Sequence, residues 1–239
     1  MESRRGSSSY GKVTRRELIK LAPIAALGAF AVPALQPALL GSGLAFTDWA
    51  AARWFRRTHL APTFAHSEVV APERFPFNSY AGHDPGIDLD AWRLRVDGLV
   101  ANPGAYTLEQ IRALPRVRQN TRHVCVEGWD VIGSFGGARI SDVLGLVGAD
   151  TSARYLAFTC ADEYYESLDM ATALHPQSLA CYEMYESPLE RGHGAPLRLS
   201  LPTKIGYKSA KYLTTLTVTN VLQGRGYWED QGYGWFYGL

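Results

Sequence analysis

Several common catalytic signatures are missing from this 239-residue chain. No GxGxxG follows a strand-like run and no P-loop is present, so nucleotide binding has no direct support. No GxSxG elbow marks a hydrolase. CxxCH is absent, which excludes a covalently attached c-type haem. HExxH and CxxC are absent too, which removes the usual zinc spacings. Charge of one sign is also lacking: 24 Lys and Arg face 23 Asp and Glu, a net of +1. Residues 1–20 carry six of the basic and two of the acidic side chains, so 21–239 hold 18 and 21, a net of −3. That balance provides no clustered basic face and argues against nucleic acid as a partner. Cysteine is scarce, with three in all, and an odd count leaves at least one unpaired in an oxidising compartment.

What is present begins with an address. TRRELIK, Thr14 to Lys20, is a twin-arginine pair followed by a hydrophobic step and a lysine, and Leu21 to Phe46 run 26 positions without a charge. Such segments are set aside before fold reasoning. A membrane-spanning helix is the alternative, weakened by Pro23, Pro33 and Pro37 and by many Ala and Gly. The expectation is export by the twin-arginine route, to the periplasm or beyond. AFA at Ala29–Ala31 is a candidate cleavage site, and an uncleaved N-terminal anchor stays open. This route commonly carries proteins that fold around a cofactor before export.

The division expected is 1–46 as signal or anchor and 47–239 as one domain, because no Gly/Pro-rich linker breaks the latter. WAAARWFRR, Trp49 to Arg57, reads as a basic amphipathic turn or a solvated helix face. Trp92, Leu94 and Val96 alternate as in a strand. Thr107 and Gln110 form a capping box opening a short helix that ends at Pro115. Ser141 is a candidate N-cap for a second helix with Val143, Leu144 and Val147 on its apolar face. Strands are expected over 154–159, 179–184, 197–201 and 214–221. Short strands mixed with short helices, without regular alternation, predict an α+β fold with a mixed sheet.

Two stretches carry chemistry. In TRHVCVEGWD, Thr121 to Asp130, Arg122 and His123 precede Cys125, and Glu127, Gly128 and Trp129 follow. Basic neighbours lower a thiol pKa, and a thiolate is a soft ligand for a redox metal or a nucleophile. An unpaired core cysteine is the bland alternative. Cys160 and Cys181 fall on strands expected to be neighbours, where they pair or are simply buried. The second stretch, HGAPLRLSLPTKIGYKSAKYL from His193 to Leu213, sets Gly194, Arg198, Lys204, Gly206, Lys208, Ser209 and Lys211 around a loop. Loop amides with Arg and Lys above them make a phosphate site, and an exposed basic loop is the equal alternative.

The pairing of RHVCVEGW with HGAPLRLSLPTKIGYKSAK, together with YWEDQGYGWF from Tyr227 to Phe236, resembles the molybdopterin-binding domain of the sulfite oxidase superfamily. It looks closest to the small exported bacterial branch that includes the catalytic subunit of periplasmic methionine sulfoxide reductase. The resemblance spans roughly 60–239 and implies the sulfite oxidase-like fold. It implies a molybdenum–molybdopterin cofactor with Cys125 as the protein's metal ligand and the pterin dithiolene supplying the other sulfurs. Asn78 would touch the pterin, with Tyr80 close by. His193 and Arg198 would contact the cofactor, and Ser209, Ala210 and Lys211 would cradle its phosphate. A position often Ser or Thr in relatives falls on Cys160, a departure that leaves a pterin contact there open. Arg122, His123 and Glu127 would tune charge near the metal, with Glu127 able to move protons. Asp162 and Tyr164 border the substrate funnel or are strand-end packing.

The resemblance implies oxygen-atom transfer: reduction of a sulfoxide or N-oxide, or oxidation of the sulfite type, on a small or protein-bound oxo substrate. The chain has neither a haem domain nor room for the immunoglobulin-like domain of sulfite oxidases. Electrons are therefore expected to pass through a separate partner, a membrane haem protein in the resembling branch. Two other classes stay open: a non-catalytic binding or electron-relay protein of the same fold, and a membrane-anchored module resting on the N-terminus and WAAARWFRR.

Overall fold

The computed structural model describes residues 46–51, 53–56, 58–78 and 81–239. The targeting segment before residue 46, and Tyr80, lie outside the described residues. Among the described residues no helix is long and apolar enough to cross a membrane. Thr47–Leu239 form one compact unit.

Two sheets carry it. The first runs β2 (Gly104–Tyr106), β1 (Leu94–Gly98), β10 (Leu213–Thr219), β5 (Tyr155–Cys160), β6 (Tyr165–Asp169), with β1 and β10 parallel and the other pairs antiparallel. This is the mixed sheet the sequence predicts. The second is wholly antiparallel: β3 (Arg116–Val124), β4 (Asp130–Arg139), β7 (Leu179–Met184) and β8 (Ser187–Pro188), with β9 (Arg198–Ser200) also on β7.

The first sheet follows from alternation. Trp92, Leu94 and Val96 point into the core, as do Leu156, Phe158 and Cys160 on β5. On β10 a register shift between Leu213 and Thr215 lets Leu213, Leu216 and Val218 all face inward despite their uneven spacing. Gly98 has φ 85°, and a Cβ there would overlap the Val218 carbonyl, so only glycine lets the two strands close. Helix α1 (Leu108–Arg112) begins at the expected capping box, Thr107 and Gln110 satisfying each other's backbone N–H. Helix α2 (Ile140–Leu146) buries Val143, Leu144 and Val147 as expected. Its start differs: Arg139, not Ser141, occupies the N-cap without a side-chain cap, because the chain enters the helix directly from β4. The Ile140 N–H is satisfied instead by the Ser178 carbonyl.

The hairpin of β3 and β4 is the element without a simple sequence signal. β3 is polar on both faces, RVRQNTRHV, and β4 holds three glycines. Gly137 explains itself: a Cβ there would overlap the Ala180 carbonyl of β7. The N-terminal arm is part of the fold. Residues 46–51 and 53–54 are helical, with Trp49 and Trp54 exposed. Phe55 packs on Phe236 and His175. The Asp48 carboxylate accepts the N–H groups of Trp235 and Phe236 at 3.1 and 2.9 Å. Asp48→Ala should lower stability by about 2 kcal/mol, the worth of charge-assisted bonds at a shielded site, read by denaturant unfolding. An unchanged midpoint would mean that the arm does not hold the C-terminal segment.

Candidate active site

A cavity of ≈ 540 Å³ opens where the β3–β4 turn, the β9–β10 loop and the C-terminal segment meet. The turn is a short closed loop. Cys125 N–H donates to the Trp129 carbonyl at 2.8 Å, Gly128 N–H donates to the Cys125 carbonyl at 3.2 Å, and Gly128 takes φ 91°. The loop aims the Cys125 thiol into the cavity. Asn78 Nδ2 lies 3.6 Å from Cys125 Sγ and donates to Glu127 Oε2 at 3.0 Å. Trp129 Nε1 donates to the same oxygen at 3.0 Å, and Sγ is 3.8 Å from it. Cys125, Asn78, Glu127 and Trp129 thus form one constellation.

The opposite wall is basic. His193, Arg198, Ser209, Ala210 and Lys211 all line the cavity, joined there by His123, Asp162 and Tyr164. Arg198 is fully buried and directs its guanidinium at backbone carbonyls: Nη1 to His193 at 3.1 Å, Nη2 to Ser209 at 3.3 Å and Nε to Leu199 at 3.3 Å. It thereby fixes both loops that carry predicted site residues. Gly194, at φ 102°, brings its turn against Lys211, where a Cβ would collide. Ser209 Oγ accepts the Leu201 N–H, which leaves its own proton free to donate. Lys211 Nζ donates to the Gly192 carbonyl and lies 4.4 Å from the Phe77 ring.

Three expectations need correction. Arg122 is not at the cavity. It follows Thr121 and precedes His123 on β3, so alternation turns it outward, where it meets Asp130 and the Phe64 ring. Cys160 is not among the lining residues; it ends the inward face of β5 in the core, and burial pushes its thiol well up. It is also far from pairing with Cys181, which sits on β7 of the other sheet, and all three cysteines are free thiols. Finally, the basic pair does not ionise Cys125. His123 lines the cavity but is a neutral ring: burial, helped by Arg198 and Lys211, lowers its pKa to about 3. Burial raises the Cys125 thiol pKa, and a metal held by Sγ would displace the proton. Of the loop lysines only Lys211 lines the cavity, since Lys204 and Lys208 turn into the protein.

The donor set fits a molybdopterin-type cofactor. Arg198 and Lys211 are cations facing one cavity, with no carboxylate ion pair to either among the described residues. Burying a charge without a counter-charge is costly. Burial lowers the pKa of both, and Arg198 adds to the lowering of Lys211, which falls to about 7 against the opposing pull of Asp162. A bound phosphate supplies the missing anion. The soft Sγ of Cys125 supplies one metal ligand, and no group of three or more His, Cys, Asp or Glu among the described residues forms a metal site without outside ligands. When bound, the cofactor supplies the two-electron and oxygen-transfer chemistry.

This arrangement makes stability depend on pH. Lys211 titrates near 7 when folded and near 10.5 when unfolded, so between those values the unfolded chain binds more protons and stability of cofactor-free protein rises with pH. Lys204, lowered to about 7 by burial, adds to the same rise. Inorganic phosphate should keep the proton on Lys211 and flatten part of the slope. Lys211→Met should abolish that phosphate-sensitive part, measured as melting temperature against pH. A wild-type slope indifferent to phosphate would count against an anion cradle.

Sequence comparison agrees with the donor set. Residues 81–228 match the family described as oxidoreductase molybdopterin binding domain. Azospira oryzae YedZ1, named provisionally as a protein-methionine-sulfoxide reductase subunit, is 50% identical over 186 residues, covering 77% of this chain and 70% of that protein. The protein-methionine-sulfoxide reductase catalytic subunit of Xanthomonas campestris is 28% identical over 169 residues, covering 63% of this chain and 52% of that one, so the chain spans about half its length. The sulfane dehydrogenase SoxCD of Paracoccus pantotrophus shares the fold, with a TM-score of 0.53 and 19% identity over 56% of this chain and 40% of that chain. A soft cysteine sulfur and two cations with no direct carboxylate ion pair, lining one cavity on a chain matched to this family over most of its folded part, are what such a cofactor requires: the chain belongs to the oxidoreductase molybdopterin binding domain family and is a molybdopterin-dependent oxidoreductase.

Proposed function

We propose that this chain is an exported enzyme that reduces sulfoxides, with methionine sulfoxide as the representative substrate, using electrons from a separate redox partner. The observation that carries the reading is the lining beside Cys125. Trp129, Tyr164, Tyr207, Trp228 and Tyr233 surround the cavity, and His123 is neutral. An S-methyl group suits aromatic faces, which attract sulfur and its methyl neighbours. Sulfite is a dianion and needs free cationic donors. Arg122 faces outward, Arg198 directs its donors at carbonyls, and Lys211, the loop lysine that lines the cavity, donates to the Gly192 carbonyl on the wall read as the cofactor's. The names of the Azospira and Xanthomonas relatives point the same way.

Reduction of R₂SO to R₂S and water consumes two electrons and two protons. Glu127 is the group placed to bring the protons: it is exposed on one side and 3.8 Å from Cys125 Sγ on the other. Asn78 and Trp129 hold its carboxylate in place by donating to the same oxygen. The twin-arginine segment supports export, and a separate electron donor is part of the same reading.

The test supplies holoenzyme with reduced viologen and methionine sulfoxide, and separately with sulfite and an electron acceptor. Consumption of the sulfoxide with sulfite inert is the expected result. Brisk sulfite oxidation with sulfoxide ignored would overturn the reading.

A further inference from the structure

The C-terminal segment is a wall of the cavity, contributing Trp228 and Tyr233, whose rings meet edge-on at 5.4 Å. What fixes that wall lies behind it. Lys208 is buried in the turn Gly206–Lys208, next to Tyr207, which also lines the cavity. Its ammonium binds two carboxyl groups: Glu166 on β6 and Glu229, the residue after Trp228. All three side chains are essentially without solvent contact. It also reaches the Ser167 carbonyl at 3.3 Å. One joint therefore ties three elements together: β6, the Gly206–Lys208 turn and the C-terminal strap.

The strap is shaped to this joint. Gly226 has no room for a side chain, because a Cβ would overlap the carboxyl oxygens of both Glu166 and Glu229. Tyr207 Oη donates to the Gly234 carbonyl at 2.6 Å, and Trp235 Nε1 donates to Ser167 Oγ at 2.8 Å. Glu229 Oε2 is buried beside the Glu166 carboxyl. One cation facing two carboxyls leaves one of them to hold a proton. Burial and the neighbouring Glu229 raise Glu166 well above the usual carboxylate range against the pull of Lys208. Structure of this kind is costly to bury, and replacement by apolar residues is often no less stable. A role beyond general stability is therefore called for.

We propose that Lys208, Glu166 and Glu229 form a positioning cluster that holds Trp228 and Tyr233 against the cavity and so sets how tightly the oxo substrate binds, without holding the cofactor. The cofactor's cradle, Arg198, Ser209 and Lys211, draws no bond from the cluster. The proposal rests on the reading of this cavity as the substrate's site.

The test uses holoenzyme. Lys208→Met removes the joint. Glu229→Ala detaches the strap but leaves Lys208 and Glu166 as a balanced pair, so it folds even if the first variant does not. Glu229→Gln keeps an acceptor for Lys208 and should rescue. Three quantities are read: molybdenum per chain, amide exchange across 226–236, and KM with kcat for methionine sulfoxide under reduced viologen. Glu229→Ala should exchange the strap amides roughly tenfold faster and raise KM roughly tenfold, with kcat within about twofold and full molybdenum. Glu229→Gln should restore most of both. A loosened strap with unchanged KM would overturn the proposal, as would unchanged exchange, or molybdenum lost in step with activity. Failure of the sulfoxide reading itself shows separately, as wild type oxidising sulfite but not reducing sulfoxide. KM for sulfite is then read in the same variants, and an unmoved value overturns the positioning role.

Discussion

Cys125→Ser should fold like the wild type and lose turnover by about a thousandfold or more, equivalent to ~4 kcal/mol of transition-state stabilisation. Folding survives because the thiol's own contacts, to Asn78 at 3.6 Å and Glu127 at 3.8 Å, are long and a serine hydroxyl can replace them. The loop 125–129 closes through backbone bonds, Cys125 N–H to Trp129 and Gly128 N–H to Cys125, that serine keeps. What serine cannot supply is the soft, polarisable sulfur that a redox metal takes in preference to a hard oxygen. The pterin should remain, since the residues that fit its phosphate lie on the other wall, on Arg198, Ser209 and Lys211. The variant is therefore expected to carry pterin, to show an altered metal spectrum and to be inactive. Turnover within tenfold of wild type would remove Cys125 from the chemistry.

Arg198→Met should have the converse signature. The guanidinium is buried and bonds the carbonyls of both His193 and Ser209, so its loss affects charge and geometry together. Loss of the buried positive charge, and of the loop geometry that its bonds to the carbonyls fix, should weaken anion binding by roughly tenfold or more. The orphaned carbonyls add a stability cost of about 1–3 kcal/mol. Pterin released from the purified variant should fall to a small fraction of wild type, with molybdenum following it. Arg198→Lys keeps the charge but not the planar fork and should recover only part. A folded Arg198→Met with its full pterin complement would show that this wall is not the phosphate cradle.

Legibility varied with the physics involved. Three strands of the first sheet, β1, β5 and β10, were readable because they bury one face: Leu94 and Val96 alternate with Arg95 and Asp97 and leave a period of two, whereas the short β2 and β6 were not expected. The Thr107 capping box was readable because it is a local bond between residues three apart. The β3–β4 hairpin was not. Its outward arginines, Arg116, Arg118 and Arg122, meet acidic partners far along the chain or across the hairpin, and its glycines answer to distant groups: Gly137 to the backbone of β7, Gly136 to the Glu183 side chain and Gly133 to the Phe75 ring. Neither cause is visible without the fold. The site residues came from motif order rather than from spacing, and the two misplacements have one origin. Whether Arg122 or Cys160 reaches a cavity depends on which face of a strand it occupies, which the motif does not state. The buried Lys208 cluster left no signal at all, because Glu166, Lys208 and Glu229 are 42 and 21 residues apart and read as ordinary surface charges.

The central claim is that the Cys125 cavity holds a molybdopterin cofactor. Its most direct test is the molybdenum and pterin content of wild-type protein purified from a molybdenum-replete host, by elemental analysis and by fluorescence of the released pterin. The account predicts one molybdenum and one pterin per folded chain. A folded wild type with neither would contradict it, and Cys125 would stand as an unexplained free thiol.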